Sequence, residues 1–169
     1  MNRRSELYLS AEVFMLINQR TVRIEWGDCD PGGIVYFPRY FECFDACTRA
    51  LFERAGLSKR EMMKSYAMNG IPLVDIKARF LMPSRFGDDV VVESSVATWG
   101  NTSFVVQHRL MKGEALAVEC FETRVWVAHP GGDPEKFEAR PIPEEVKARF
   151  GGAQSAESNR NSRVESTSE

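Results

Sequence analysis

The sequence predicts an α+β fold, with one long amphipathic helix followed by a run of long antiparallel strands. Two observations carry this. Between residues 38 and 55, apolar side chains recur at 41, 44, 47, 51, 52 and 55, the three-and-four spacing of a single helix stripe. From Ile71 onward that period vanishes, and four segments rich in Val, Phe, Thr and Ile follow one another, separated by short turns. A helix with one apolar stripe and a sheet with one apolar face bury each other when packed together.

A strand is expected first, over residues 21–26, breaking at Gly27. Pro38 suits the first helical position, where a missing N–H goes unused, and Gly56 is a natural stop just past the helix end. Ser58 followed by Glu61 forms a capping box for a short second helix over 58–67. Strands are then expected over 71–82, 89–99, 102–112 and 114–128. Gly100-Asn101 and Lys112-Gly113 supply tight turns, so the last three should form an antiparallel meander. Strands of this length curl. The folded domain is expected over 20–150, with 1–19 as an N-terminal extension. Glu6 and Glu12 interrupt the apolar character of that extension, which argues against a secretory signal. Residues 151–169 have no aromatic residue and a single Val, too little apolar surface to offset ordering entropy, so a disordered tail is expected.

At 169 residues with 43% hydrophobic content, the chain can bury one substantial core. A net charge of −2 without a basic stripe gives no invitation to nucleic acid, and neither clustered lysines nor a bilayer-length apolar run suggests a membrane. Cysteines at 29, 43, 47 and 120 form no CxxC, and His108 and His129 are the only histidines, a poor ligand set for zinc. Reduced thiols in a cytoplasmic protein are the simpler expectation.

The chemistry concentrates in residues 26–40, WGDCDPGGIVYFPRY. Two acids flank a cysteine, a Pro-Gly-Gly turn follows, and a helix opens at Pro38. A carboxylate on a turn just ahead of unpaired helix N–H groups is the minimum equipment for acyl transfer. Read from the residues alone, Asp28 and Asp30 also suit a turn, because Asp hydrogen-bonds locally there. A calcium loop fails, because the twelfth position from Asp28 is Arg39, where the loop requires Glu.

Through Gly27-Asp28-Cys29-Asp30-Pro31, Gly33-Ile34-Val35, Pro38, Tyr40 and Asp45, the chain resembles the 4-hydroxybenzoyl-CoA thioesterase family of hotdog-fold proteins. The resemblance runs from about Arg20 to Pro143. It implies a curled, mostly antiparallel sheet wrapped round a long central helix, and homodimers or homotetramers whose sheets join edge to edge. It implies an acyl-CoA substrate, plausibly the 4-hydroxybenzoyl ester, and no cofactor beyond the coenzyme A carried by that substrate. It places Asp30 as nucleophile or general base, and the Phe37 amide, seven residues on, as the donor that polarises the thioester oxygen. In a related subgroup a histidine stands where this chain has Pro38, so an imidazole helper is missing here. Asp45 matches a position that meets the ring hydroxyl across a dimer interface, with Tyr36 offering aromatic contact. Ser103 matches a coenzyme A contact and Lys136 replaces a C-terminal basic one, whereas Glu138 stands where another is expected; either the phosphate contacts are rearranged, with Arg85 and Lys112 as spare candidates, or the acyl carrier differs. His108, mid-strand between Val106 and Leu110, reads as structural. The alternatives are a thioesterase for aliphatic acyl-CoA and a non-catalytic acyl-CoA-binding module. A hotdog hydratase is disfavoured, since no histidine precedes residue 108.

Overall fold

The computed structural model describes residues 15–130, 133 and 136–151. In chain order the elements are β1 (Asn18–Arg23), a 3₁₀ turn (Trp26–Asp28), α1 (Phe37–Arg54), α2 (Lys59–Tyr66), β2 (Met68–Gly70), β3 (Leu73–Phe80), β4 (Asp89–Trp99), β5 (Ser103–Lys112), β6 (Ala115–Val125), β7 (Val127–Ala128), β8 (Glu138–Ala139) and α3 (Glu144–Ala148). Five strands form one antiparallel sheet in the order β1-β4-β5-β6-β3, and β2-β7-β8 form a smaller one. The long helix lies on one face of the larger sheet, the α+β hotdog arrangement the sequence predicts.

Helix α1 buries Tyr40, Phe44, Cys47, Thr48, Leu51 and Phe52; of the stripe read from the sequence, Phe41 and Ala55 are only partly buried, and Tyr40 and Thr48 join the buried face. Its first half packs on Ile24, Val90, Val92, Leu110, Val118 and Cys120. Its second half packs on Leu57, Met62, Val96, Phe104, Trp126, Ile142, Val146 and Phe150. Each fully buried Leu or Phe contributes roughly 1.5–3 kcal/mol, so this double cluster is what holds α1 in place. Ser58 Oγ accepts from the Glu61 amide at 3.2 Å, starting α2 as expected.

The first strand lies earlier than the sequence suggests, over 18–23 rather than 21–26. Its only ladder partner among the described residues is β4, which begins at Asp89 opposite Arg23, so pairing ends there. Beyond it, Asp28 Oδ2 accepts the Glu25 amide at 2.8 Å and winds the chain into a 3₁₀ turn. The meander is as expected, except that β6 stops at Val125, where the Trp126 amide turns aside to Thr102 O at 2.8 Å. Strands β2, β7 and β8 have two or three residues each, too short for any period to reveal. The expected extension over 1–14 and tail over 152–169 lie outside the described residues. No helix among the described residues is long and apolar enough to cross a membrane.

Strand β3 is an open edge. It exposes Leu73 (43%), Val74 (59%) and Phe80 (51%), and Leu81 and Met82 continue the patch. Asp75, Lys77 and Arg79 are exposed between them, so the edge mixes apolar and charged side chains, and its unpaired backbone groups are a template for pairing with another strand.

Candidate active site

The Asp30 turn is built from local hydrogen bonds. The Asp30 amide donates to Ile34 O at 2.9 Å, and the Gly33 amide donates to Asp30 O at 2.9 Å. Gly33 adopts φ +75°, which a side chain resists. The Gly32 amide donates to Asp30 Oδ1 at 2.8 Å. That bond pins one carboxylate oxygen, and Oδ2 has no partner among the described residues. Asp30 lines a cavity of about 290 Å³ with Trp26, Cys29, Pro31, Gly33 and Phe86. The exposed Trp26 and Phe86 rings meet edge to face, 5.8 Å apart, and form an aromatic wall that sequence reading missed. They lie 60 residues apart in the chain, so no local pattern could pair them.

Asp28 serves the backbone, as its turn reading expects: its carboxylate takes the Glu25 amide and its carbonyl accepts the Tyr36 amide at 2.8 Å. Arg85 Nη1 donates to Gly33 O at 3.2 Å, so this spare basic candidate borders the Asp30 turn. Lys112 is instead paired with Asp88 at 2.6 Å.

Pro38 has no N–H, so the amides of Tyr36, Phe37 and Arg39 are the ones that border the helix start, and hydrogen bonding separates them. The Tyr36 amide is bonded to Asp28 O, and the Arg39 amide donates to Tyr36 O at 2.9 Å. The Phe37 amide, at the first residue of α1, has no acceptor among the described residues, as expected for an opening helical N–H. Tyr36 and Phe37 are half-exposed and pack edge to face at 5.4 Å.

Asp45 stands on α1 eight residues beyond Phe37, about 12 Å along the axis. Its Oδ1 accepts from Arg124 Nη2 at 2.8 Å, and Oδ2 lies 3.9 Å from Arg49 Nε. It lines a second cavity of about 340 Å³, whose walls include Phe52, Ile71, Pro72, Arg124 and Phe137. The two cavities share no residue. In one chain, therefore, Asp30 and Asp45 line separate cavities.

Beneath Asp45 runs a buried polar chain. Ser94 Oγ lies 2.8 Å from His108 Nδ1, and His108 Nε2 lies 3.2 Å from Thr48 Oγ1. Thr48 Oγ1 donates to Glu122 Oε2 at 2.8 Å, and Arg124 Nε donates to the same oxygen at 2.9 Å. Arg124 Nη1 also donates to Ile71 O at 3.1 Å. His108 stacks on Phe44 with ring centroids 4.9 Å apart, so its structural reading is borne out. Burial opposes ionisation of Glu122, but hydrogen bonds and charge from His108 and Arg124 outweigh it and draw its pKa down to about 2. Burial also works against the Arg124 charge, and Glu122 and Asp45 overcome it, raising its pKa. The only sequence signal for this chain is Glu122-x-Arg124 on the inward face of an otherwise apolar strand.

Ser103 opens β5, with its carbonyl accepting the Gly100 amide at 2.7 Å. Lys136 is exposed and ion-paired with Asp133 at 3.4 Å, and its carbonyl is bonded by His129 Nδ1 at 2.7 Å. Ser103 lies at the end of β4 remote from the Asp30 turn, and the Lys136 segment follows β7 at that same end. The eleven residues of β4 separate them from the turn by roughly 33 Å. Ser103 and Lys136 share an end of the sheet but not a protomer's Asp30 cavity.

A model of the thioesterase-like superfamily matches residues 24–150. The chain is 33% identical over 127 residues to 4-hydroxybenzoyl-CoA thioesterase of Pseudomonas sp. (strain CBS-3), covering 72% of this chain and 88% of that protein. A solved structure of a 4-hydroxybenzoyl CoA thioesterase mutant complexed with 4-hydroxybenzoyl CoA aligns with TM-score 0.74 and 28% identity, covering 80% of this chain and 99% of that one. A gentisyl-coenzyme A thioesterase aligns with TM-score 0.66 and 25% identity, over 77% of this chain and 99% of that one.

Proposed function

Because the chain belongs to the thioesterase-like superfamily, and within it to the 4-hydroxybenzoyl-CoA thioesterase family, we propose that it hydrolyses an aromatic acyl-CoA thioester, of 4-hydroxybenzoyl type, to the free acid and coenzyme A. The observation that carries this reading is a half-pinned Asp30 carboxylate seven residues ahead of an unpaired helix-opening amide. Asp30 Oδ2 attacks the thioester carbonyl, the C–S bond breaks, and coenzyme A thiolate leaves an acyl anhydride that water opens. In the parallel route, the same oxygen takes a proton from the attacking water. Both routes give the same products. The Phe37 N–H stabilises the oxyanion in either route, a contribution of about 10²–10³ in rate, aided by the positive end of α1. A carboxylate and an amide suffice for this chemistry, without metal or redox cofactor.

Asp45 accepts a hydrogen bond from the ring hydroxyl, and Tyr36 flanks the ring. Ser103 and Lys136 meet the coenzyme A portion. Since Asp30, Asp45 and Ser103 are dispersed in one chain, the complete site is assembled between copies. The open β3 edge suits a homodimer, and two such dimers make a homotetramer. Four free thiols suit the reducing cytoplasm.

The test is thiol release from 4-hydroxybenzoyl-, benzoyl-, phenylacetyl- and aliphatic CoA esters. Preference for the hydroxybenzoyl ester supports both the Asp30 and the Asp45 assignments, whereas preference for aliphatic esters keeps only the first. Silence across the panel would leave a binding module. Asp30→Asn should abolish almost all turnover with the fold intact; near-normal turnover would sink the assignment.

A further inference from the structure

Buried ion pairs seldom add net stability, because desolvating both charges offsets their attraction. Glu122 and Arg124 are nevertheless sealed in the core, their side chains 1% and 6% exposed, on a strand face where apolar residues would pack as well. Of the six side chains in their hydrogen-bonded chain, only Asp45 is exposed, and it lines the 340 Å³ cavity. The arrangement is rigid at every step. Three nitrogens of the Arg124 guanidinium are fixed, to Glu122, to the Ile71 carbonyl and to Asp45. Glu122 is braced in turn by Thr48 from α1 and by His108 from β5. Ile71, whose carbonyl Arg124 holds, is itself a wall of the same cavity.

We propose that Arg124 is a positioning residue for acyl recognition: anchored by Glu122, it fixes Asp45 through Oδ1 and turns Oδ2, which faces the exposed Arg49 Nε at 3.9 Å, to accept a hydroxyl carried by the distal end of the acyl ring. The planar guanidinium reaches three acceptors at once, which a lysine ammonium at the end of a flexible stem does not reproduce. This rests on the reading of Asp45 as the ring contact. The geometry implies selection for a hydrogen-bond donor at the far end of the acyl group. It also disfavours an acyl carboxylate there, which would meet the Asp45 charge.

The measurement is kcat and KM for 4-hydroxybenzoyl-CoA and benzoyl-CoA in the full chain and in four variants: Asp45→Asn, Asp30→Asn, Arg124→Lys, and Arg124→Met combined with Glu122→Gln. The double variant removes both buried charges together, so it leaves no unpaired ion if the single change fails to fold. The ratio of kcat/KM for the two esters is decisive, because general loosening of the fold lowers both in parallel and leaves it unmoved. The inference expects about a tenfold fall in that ratio in both Arg124 variants, chiefly through KM of the hydroxylated ester, with Asp45→Asn falling at least as far. A wild-type ratio in the Arg124 variants alongside a fallen ratio in Asp45→Asn would overturn the role of Arg124 alone. An unmoved ratio in Asp45→Asn would overturn the Asp45 reading beneath it, and full turnover in Asp30→Asn would overturn the catalytic assignment.

Discussion

Gly32→Ala should separate activity from stability. A Cβ built at Gly32 falls 3.0 Å from Asp30 Oδ1, the oxygen that the Gly32 amide holds at 2.8 Å. Ordinary Cβ contacts begin near 3.4 Å, so the carboxylate must give by about 0.4 Å (3.4 − 3.0). A misplacement of 1 Å in a reacting group can lower the rate about 100-fold, and on a logarithmic scale about half that shift corresponds to roughly tenfold. Gly32 is not among the residues with positive φ, so alanine meets no backbone strain there. By restricting the unfolded chain, that alanine should stabilise by about 0.4–1 kcal/mol. The expected outcome is a kcat for the preferred aryl-CoA about tenfold below wild type, measured by thiol release, with an unchanged or slightly raised Tm by calorimetry. A kcat within about twofold of wild type would refute the idea that the rate depends on where the Asp30 carboxylate sits. A fall in Tm parallel to the fall in kcat would show that the effect is merely structural.

Two further outcomes follow from other parts of the molecule. If copies pair through the β3 edge to bring Asp30 and Asp45 together, as proposed, Val74→Lys with Phe80→Lys should give monomers in analytical ultracentrifugation and abolish turnover; an active monomer would refute assembly between copies. Glu122 should govern acid stability. Its folded pKa of about 2 lies below the ordinary 4.5, so its contribution is complete above pH 4.5 and is lost as pH falls toward 2, a total of about 3 kcal/mol. In urea unfolding, the deficit of Glu122→Gln relative to wild type should therefore shrink between pH 5 and pH 3; a deficit independent of pH would contradict an ionised Glu122.

The stripe on α1 shows what was legible in the chain. Phe44, Cys47, Leu51 and Phe52 recur at helical spacing, and burial of that stripe is a sum over neighbours only three or four residues apart, whereas the buried Tyr40 lay outside the stripe read from the sequence. The Asp30 turn was legible for the same reason: the bonds that Asp30 itself makes, with Gly32, Gly33 and Ile34, lie within four residues, although Arg85 also reaches Gly33 O across 52 positions. The β4-β5-β6 meander could be read from alternation and turn residues, because hairpin pairing is set by short connections.

The remainder depended on tertiary structure because it joins residues distant in sequence. Arg124 reaches Asp45 across 79 positions, and Thr48 reaches Glu122 across 74. Nothing local in Glu122-x-Arg124 distinguishes a buried pair from two solvated charges on a strand. Which helix-opening amide stays unpaired was likewise decided by the fold, when the 3₁₀ turn brought Asp28 O to the Tyr36 amide. Short-range periodicity and turn chemistry thus determined the elements and the Asp30 turn, because both act over a few residues. The separation of Asp30 and Asp45 into two cavities, and the buried charges beneath the second, arose only when the strands closed over the helix, because their partners are chosen by packing rather than by sequence proximity.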